Sequence, residues 1–288
     1  MKVMVNNMLK KISILIVVSI ALMTITVNAN VTGIESNNAH EEKTIDSVVK
    51  LKSAIERAYN NDGKMTDSES KYLIESTSTE VLTDFFEEKM DDADSVIEKA
   101  DIDVDAIMEN GSNGYGMIKL DIGDHSEVML EFEDKEETSI SDVIKNAVIT
   151  PSYAATNGET MWKSYGNRYF TAKKTVLSGI GGAIIKLENH YKVSSKGLDE
   201  RYGDAYVSFN FSAGITGSIS ADSPIISDSS ARTPGKSNIN LYARYPYHYD
   251  GDGVAASGGN YKMSTAVDYL KKDATNKRIK VKHRWSVK

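Results

Sequence analysis

The segment Arg278-Ile279-Lys280-Val281-Lys282-His283-Arg284-Trp285 alternates cations with apolar or aromatic side chains, a period of two. Successive side chains of a strand point to opposite faces. The four cations therefore share one face, and Ile279, Val281, His283 and Trp285 share the other. A partner strand is legible upstream, where Val267, Tyr269 and Leu270 precede the turn Asp273-Ala274-Thr275-Asn276, and the two together predict a hairpin. Further β-branched and aromatic runs lie at 165–176, 184–192, 205–211, 215–221, 239–245 and 261–270. Gly, Pro, Asn and Asp clusters separate them, among them Asp222-Ser223-Pro224, Thr233-Pro234-Gly235 and Asp250-Gly251-Asp252-Gly253. Short strands at this spacing predict an all-β domain over 159–288, either sandwich-like or a partly open barrel.

Upstream the period is helical. Ile45, Val48, Val49, Ile55 and Tyr59 recur at spacings of three, four and seven, and Asn60-Asn61-Asp62-Gly63 ends the run. Thr66 to Glu69 reads as a capping box, and Thr77 to Glu80 as a second one ahead of Val81, Leu82, Phe85, Phe86 and Met90. A further short helix is expected over 93–109. From Tyr115 the period falls to two, predicting a hairpin that turns at Gly123-Asp124 and shows Asp121, Glu127, Glu131 and Glu133 to solvent. The expected class is α+β: an acidic helical region with a hairpin over 45–146, a linker at 147–158, then the β domain.

Charge shifts at the same place. Residues 30–150 hold 30 acidic and 11 basic side chains, whereas residues 151–288 hold 11 acidic and 20 basic ones. Tyr and Gly also concentrate after residue 150, so the composition predicts two architectures of opposite charge.

The first 29 residues read as a signal peptide. Lys2, Lys10 and Lys11 precede an uncharged apolar run from Ile12 to about Val27, and Val27-Asn28-Ala29 supplies a small-residue cleavage site. Residues 30–44 lack periodicity and read as a flexible lead. The expected location is secreted, in a bacterial setting, with cell-wall association and no transmembrane segment after cleavage. The chain has no cysteine, which excludes disulfide stapling, thiol catalysis and cysteine-based zinc sites.

The stretch from Ala58 to Glu69 resembles the calcium loop of an EF-hand. Carried over by position, Asn60, Asp62 and Glu69 would offer side-chain oxygens and Gly63 the turn. Ala58 departs from the pattern where the family places its first acidic ligand. The favoured reading is accordingly a helical hairpin closed by a turn, with weak calcium binding as the alternative and no other cofactor expected. Candidate binding residues come instead from the basic half: Arg168, Lys173, Tyr242, Arg244, Tyr245, Tyr247, Lys280, Lys282 and Arg284. Cations beside tyrosines suit an anionic polymer or glycan through charge attraction and ring contact. Nucleic acid fits the charge but not an exported location.

Taken together, the stretch Tyr165 to Ala172 and the ending Arg278 to Trp285 resemble those of uncharacterised exported proteins of low-GC Gram-positive bacteria. That resemblance brings no activity with it. The leading expectation is a non-enzymatic secreted protein whose basic β domain binds anionic wall polymer or glycan. The alternatives are an exported enzyme using His248, Asp250 and Asp252, or a secreted toxin or antibacterial factor.

Overall fold

The computed structural model describes residues 45–137, 161–211, 217–219, 221–251 and 254–287. The expected signal segment, lead and linker lie outside the described residues. The fold is α+β: among the described residues, four helices are followed by two antiparallel sheets in an open, sandwich-like arrangement. No helix among the described residues is long and apolar enough to cross a membrane.

Helix α1 (Val48–Asp62) starts at Ser47, whose hydroxyl accepts from the Lys50 N–H. It stops where Gly63 takes φ 70°, the left-handed conformation that glycine adopts without a Cβ penalty. Helix α2 (Asp67–Glu75) carries the expected capping box, with Thr66 and Glu69 satisfying each other's free N–H groups. The second box is corrected. Helix α3 (Thr79–Lys99) is capped by Ser78, while the Thr77 hydroxyl donates back to the Leu73 carbonyl. The expected helix over 93–109 is corrected too. Helix α3 continues to Lys99, the chain turns at Asp101 (φ 46°), and α4 (Val104–Asn110) restarts with Asp103 as its cap. Gly116 lets α4 lie against the first strand, since a Cβ there would sit 2.1 Å from the Ile107 carbonyl oxygen.

The strands are β1 (Tyr115–Gly123), β2 (Ser126–Glu136), β3 (Trp162–Ser164), β4 (Gly166–Ser178), β5 (Gly181–Ser194) and β6 (Gly197–Phe211). They continue as β7 (Gly217–Ile219), β8 (Ile225–Asp228), β9 (Ser230–Ala231), β10 (Ser237–Gly251), β11 (Val254–Asp273) and β12 (Arg278–Val287). The first sheet has the order β1-β2-β4-β5-β6-β9. The second has β3-β12-β11-β10-β7, with β8 also on β10.

The compositional change near residue 150 does not divide the core. Strand β2, from the acidic half, pairs with β4, from the basic half, from Glu127↔Leu177 to Glu136↔Arg168. One apolar cluster joins Met90, Ala93 and Met108 of the helices to Phe132 and Leu187 of the first sheet and to Met263 and Val281 of the second. A smaller cluster lies among the helices. The tight β4–β5 turn plugs it with Ile180, which sits beside Leu51, Ile55 and Phe85. The β1–β2 turn is centred one residue later than expected, on Asp124 and His125, both with positive φ. Lys89 reaches the Asp124 carboxylate at 2.8 Å and the His125 ring stacks on Tyr59, so the helices clamp this tip. The hairpin's acidic face is less solvated than expected, because Glu131 pairs with Lys173 and Glu133 with Lys135.

Between the sheets lies a buried ionic cluster. The Asp134 carboxylate receives Arg168 Nε at 2.8 Å, Lys163 Nζ at 3.1 Å, the Tyr191 hydroxyl at 2.7 Å and His283 Nε2 at 2.6 Å. On its other side His283 meets Asp105, which takes both ring Nδ1 (2.7 Å) and the backbone N–H (3.0 Å). Burial would raise the Asp134 pKa. The charges of Lys163 and Arg168 and the His283 hydrogen bond instead hold it well below the usual carboxylate range. Burial opposes a charged His283, yet its hydrogen bonds to Asp105 and Asp134 keep it above its ordinary value.

Three substitutions test these charges, two buried and one exposed. Removing the carboxylate in Asp134→Ala strands the charges of Arg168 and Lys163 and should cost roughly 3–5 kcal/mol. Glu127→Gln, which breaks the exposed pair with Lys119, should leave the urea midpoint nearly unchanged. Glu200 behaves in the opposite sense. Burial pushes its carboxyl up to about 8, and the Asn189 side chain nearby forms no well-aligned hydrogen bond with it. A raised carboxyl pKa means that stability is fully present below the unfolded-state value near 4.5 and is lost as pH rises towards 8. Denaturant titrations of Glu200→Gln should therefore show a flatter decline between about pH 5 and pH 8 than the parent chain.

Candidate functional site

In the second sheet, register decides which side chains share a face, because directly paired residues of antiparallel strands project to the same side. Val267 pairs with His283 and Tyr269 with Val281, and these four turn into the core together with Ile239 and Leu241 of β10. The alternate positions face outward: Ala266 with Arg284, Asp268 with Lys282, Lys271 with Lys280 and Asp273 with Arg278. The same parity places Tyr242 beside Ser264 and Arg244 beside Lys262. Across the described residues of β10, β11 and β12 this face presents Arg244, Lys262, Lys271, Arg278, Lys280, Lys282 and Arg284 against two carboxylates, Asp268 and Asp273. It is therefore strongly cationic.

Local pairing removes part of that charge. Arg284 forks onto Asp268, and Arg278 bonds Asp273 while stacking over Trp162 at 4.7 Å. Lys262 sits over the Tyr242 ring at 4.2 Å. Arg244, Lys280 and Lys282 have no ion-pair partner among the described residues. A cleft of about 440 Å³ opens beside this face, with Lys282, Arg284, Ser264 and Asn240 on one side and the Asp101–Val104 connection on the other.

Five of the nine expected binding residues thus lie on one surface: Tyr242, Arg244, Lys280, Lys282 and Arg284. Three others do not join them, and the fourth, Tyr247, has its side chain outside the described residues. Arg168 is buried in the Asp134 cluster with its second nitrogen on Glu136, so an arginine expected on the surface holds the interior together. Lys173 lies on the outward face of the first sheet, paired with Glu131. Tyr245 points inward, and its hydroxyl donates to the Lys186 carbonyl at 2.8 Å. The side chain of Tyr247 lies outside the described residues, as do those of His248, Asp250 and Asp252. In the calcium-like loop, the Asn60 amide bonds Glu56 within α1 and the Glu69 carboxylate is engaged with Thr66; the Asp62 side chain is outside the described residues.

Sequence reasoning missed Lys262, although the run Lys262-x-Ser264-x-Ala266-x-Asp268 carries the same polar period of two. It also missed Asp105, Asp134 and Lys163 as interior charges; the signal that could have found Asp134 is its shared parity with Val128, Leu130 and Phe132. The Asp105–His283–Asp134 chain has the shape of an acid–base relay. Both ring nitrogens are nevertheless taken by carboxylates, and the imidazole is fully enclosed, so it fixes strands and helix rather than serving a solvent-borne substrate. Comparison of the chain with family models, with curated proteins and with solved structures finds no match in any of the three.

Proposed function

We propose that this is an exported, non-enzymatic protein that binds an anionic cell-wall polymer or glycan through the outward face of its second sheet. One observation carries the reading: register brings five cationic or tyrosine positions, separated by up to about 40 residues in sequence, onto a single surface. On β12 the outward cations recur every second residue, roughly 6.7 Å apart at a strand rise of about 3.3–3.4 Å. A polymer carrying repeated negative charges can lie along such a row and meet several cations at once. Each contact is weak and screened by salt, so affinity comes from their number.

A plainer purpose for such lysines is to keep a sheet edge from pairing with another chain. Here the edge of β12 is already occupied. The Val281 N–H donates to the Met161 carbonyl and the His283 N–H to Asp105, while β3 pairs along Arg278–Lys280. Guarding that edge therefore does not account for the outward cations, and this favours ligand contact.

The test is binding of the full chain to a purified glycerol-phosphate polymer, with a neutral glucan as control. Binding at about 0.05 M salt should weaken at least about tenfold at 0.5 M. Lys280→Glu combined with Lys282→Glu should weaken it by a similar factor, whereas Lys119→Glu, on the first sheet, should not. Retention that ignores both salt and the double reversal would refute the reading.

A further inference from the structure

We propose that Glu188, His190 and Asp204, on the outward face of the first sheet, form a binding site for one divalent transition-metal ion, with Zn²⁺ as its probe. The site lies on a different sheet from the polymer-binding face and does not depend on that reading. Its three side chains are brought together by register. Glu188 and His190 are two residues apart on β5 and share a face, and Asp204 on β6 pairs directly with Glu188. Their donor atoms all lie within 4.8 Å of one another.

The imidazole is oriented from three sides. Its Nδ1 lies 2.7 Å from the Glu137 carboxylate, which is itself held by Arg201. The ring stacks on Tyr202, with centroids 4.1 Å apart and planes 14° from parallel, and Tyr169 leans on it from nearby. In the neutral tautomer that donates Nδ1–H to Glu137, Nε2 is a lone-pair donor. That atom is shielded from solvent and has no hydrogen-bond partner. It points instead at two carboxylate oxygens, Asp204 Oδ2 at 3.4 Å and Glu188 Oε2 at 3.7 Å. In that tautomer three electron-rich atoms converge, and a metal cation at their centre would take the place that a proton on Nε2 otherwise fills.

The spacing fits such an ion. Metal bonds of about 2.0–2.2 Å in a tetrahedral arrangement place neighbouring ligand atoms about 3.4 Å apart, close to both measured separations. A carboxylate bonded to the far nitrogen of a ligating histidine is the usual outer support of such sites, and Glu137 occupies that position here. Glu188 also has a division of labour. Its Oε1 is engaged by Lys186 at 2.7 Å, which leaves Oε2 facing the histidine. One imidazole with two carboxylates suits zinc or manganese better than calcium, which takes six to eight oxygens. Three protein ligands leave at least one coordination position for water or a ligand group. The cleft of about 360 Å³ alongside, which Tyr169, Thr171 and Lys173 help to line, gives such a group room.

Calorimetric titration of the metal-stripped full chain with Zn²⁺ tests the assignment, together with the visible absorption of added Co²⁺ as a report on coordination geometry. One ion per chain is expected, with a four- or five-coordinate cobalt spectrum. Asp204→Ala alters an exposed side chain and should not disturb folding; it should weaken Zn²⁺ binding by more than about tenfold, and His190→Ala should abolish the cobalt spectrum. Glu137→Gln, which reaches the metal through the imidazole and also loses its ion pair with Arg201, should weaken binding about 10- to 100-fold. Lys280→Glu should change nothing here. Absence of stoichiometric Zn²⁺ binding, or binding that survives both Asp204→Ala and His190→Ala, would overturn the proposal.

Discussion

The carboxylate of Asp134 is the interaction on which the rest of the structure depends. It sits on β2, fully enclosed, and gathers Lys163 from β3, Arg168 from β4, Tyr191 from β5 and His283 from β12. Through His283 it reaches Asp105 on α4. Both sheets and the helical layer are thus tied to one ionic cluster. Isolated charges in such a place would be prohibitive, and even paired ones repay their desolvation only with near-complete hydrogen bonding. What such a cluster supplies is selectivity of arrangement. Moving β2 by one residue would turn Asp134 to the outside and leave two buried cations unmatched, so the register across the halves is strongly specified.

The same logic explains the opposite charges of the two halves. The acidic half is the electrostatic counterpart of the basic half within one fold: Asp94 meets Lys174, Glu131 meets Lys173, Glu136 meets Arg168 and Glu137 meets Arg201. The first sheet and the helices consume most of the basic half's early cations in this way. Those near the C-terminus lie on the outward face of the second sheet, where the ion pairs among the described residues are Arg278 with Asp273 and Arg284 with Asp268, and Asp101 and Asp103 line the cleft alongside. The net positive face is the portion of the charge that the fold does not neutralise internally.

Much of the fold was legible because it is written in local periodicity. Six of the seven expected strands appear; of the one expected over 215–221, Gly217–Ile219 forms a strand while 215, 216 and 220 lie outside the described residues. The closing hairpin has the expected faces, and Thr66 with Glu69 forms the expected box. Alternation along Arg278–Trp285 needs no partner to be read, and the structure keeps the cations outward and Ile279, Val281 and His283 inward. What local pattern cannot carry is the pairing of distant segments. Nothing in the run Glu131-Phe132-Glu133-Asp134 distinguishes the three carboxylates except parity. The apolar residues Val128, Leu130 and Phe132 share the parity of Asp134 and turn it inward, but the cations that meet it there come from β3 and β4, some 30 residues later. Arg168 was misplaced for the same reason, and the β2–β4 pairing across the compositional boundary could not be seen. The Glu188–His190–Asp204 group has a legible half, two residues of one parity, and a half supplied only by register.

The two outward faces consequently differ in kind, and each difference traces to what lies across the strand. On the first sheet, lysines and glutamates alternate and settle into pairs such as Lys186 with Glu188 and Lys173 with Glu131, so that face has little net field. A histidine placed among surplus carboxylates there faces excess negative charge over a few ångströms, which a small, concentrated cation satisfies. On the second sheet the excess is positive and spread along a strand, which a long, repeating anion satisfies. The two proposed sites therefore call for different ligand classes because the unbalanced charge differs in size and spacing, and both use side chains that the alternating pleat turns away from the core.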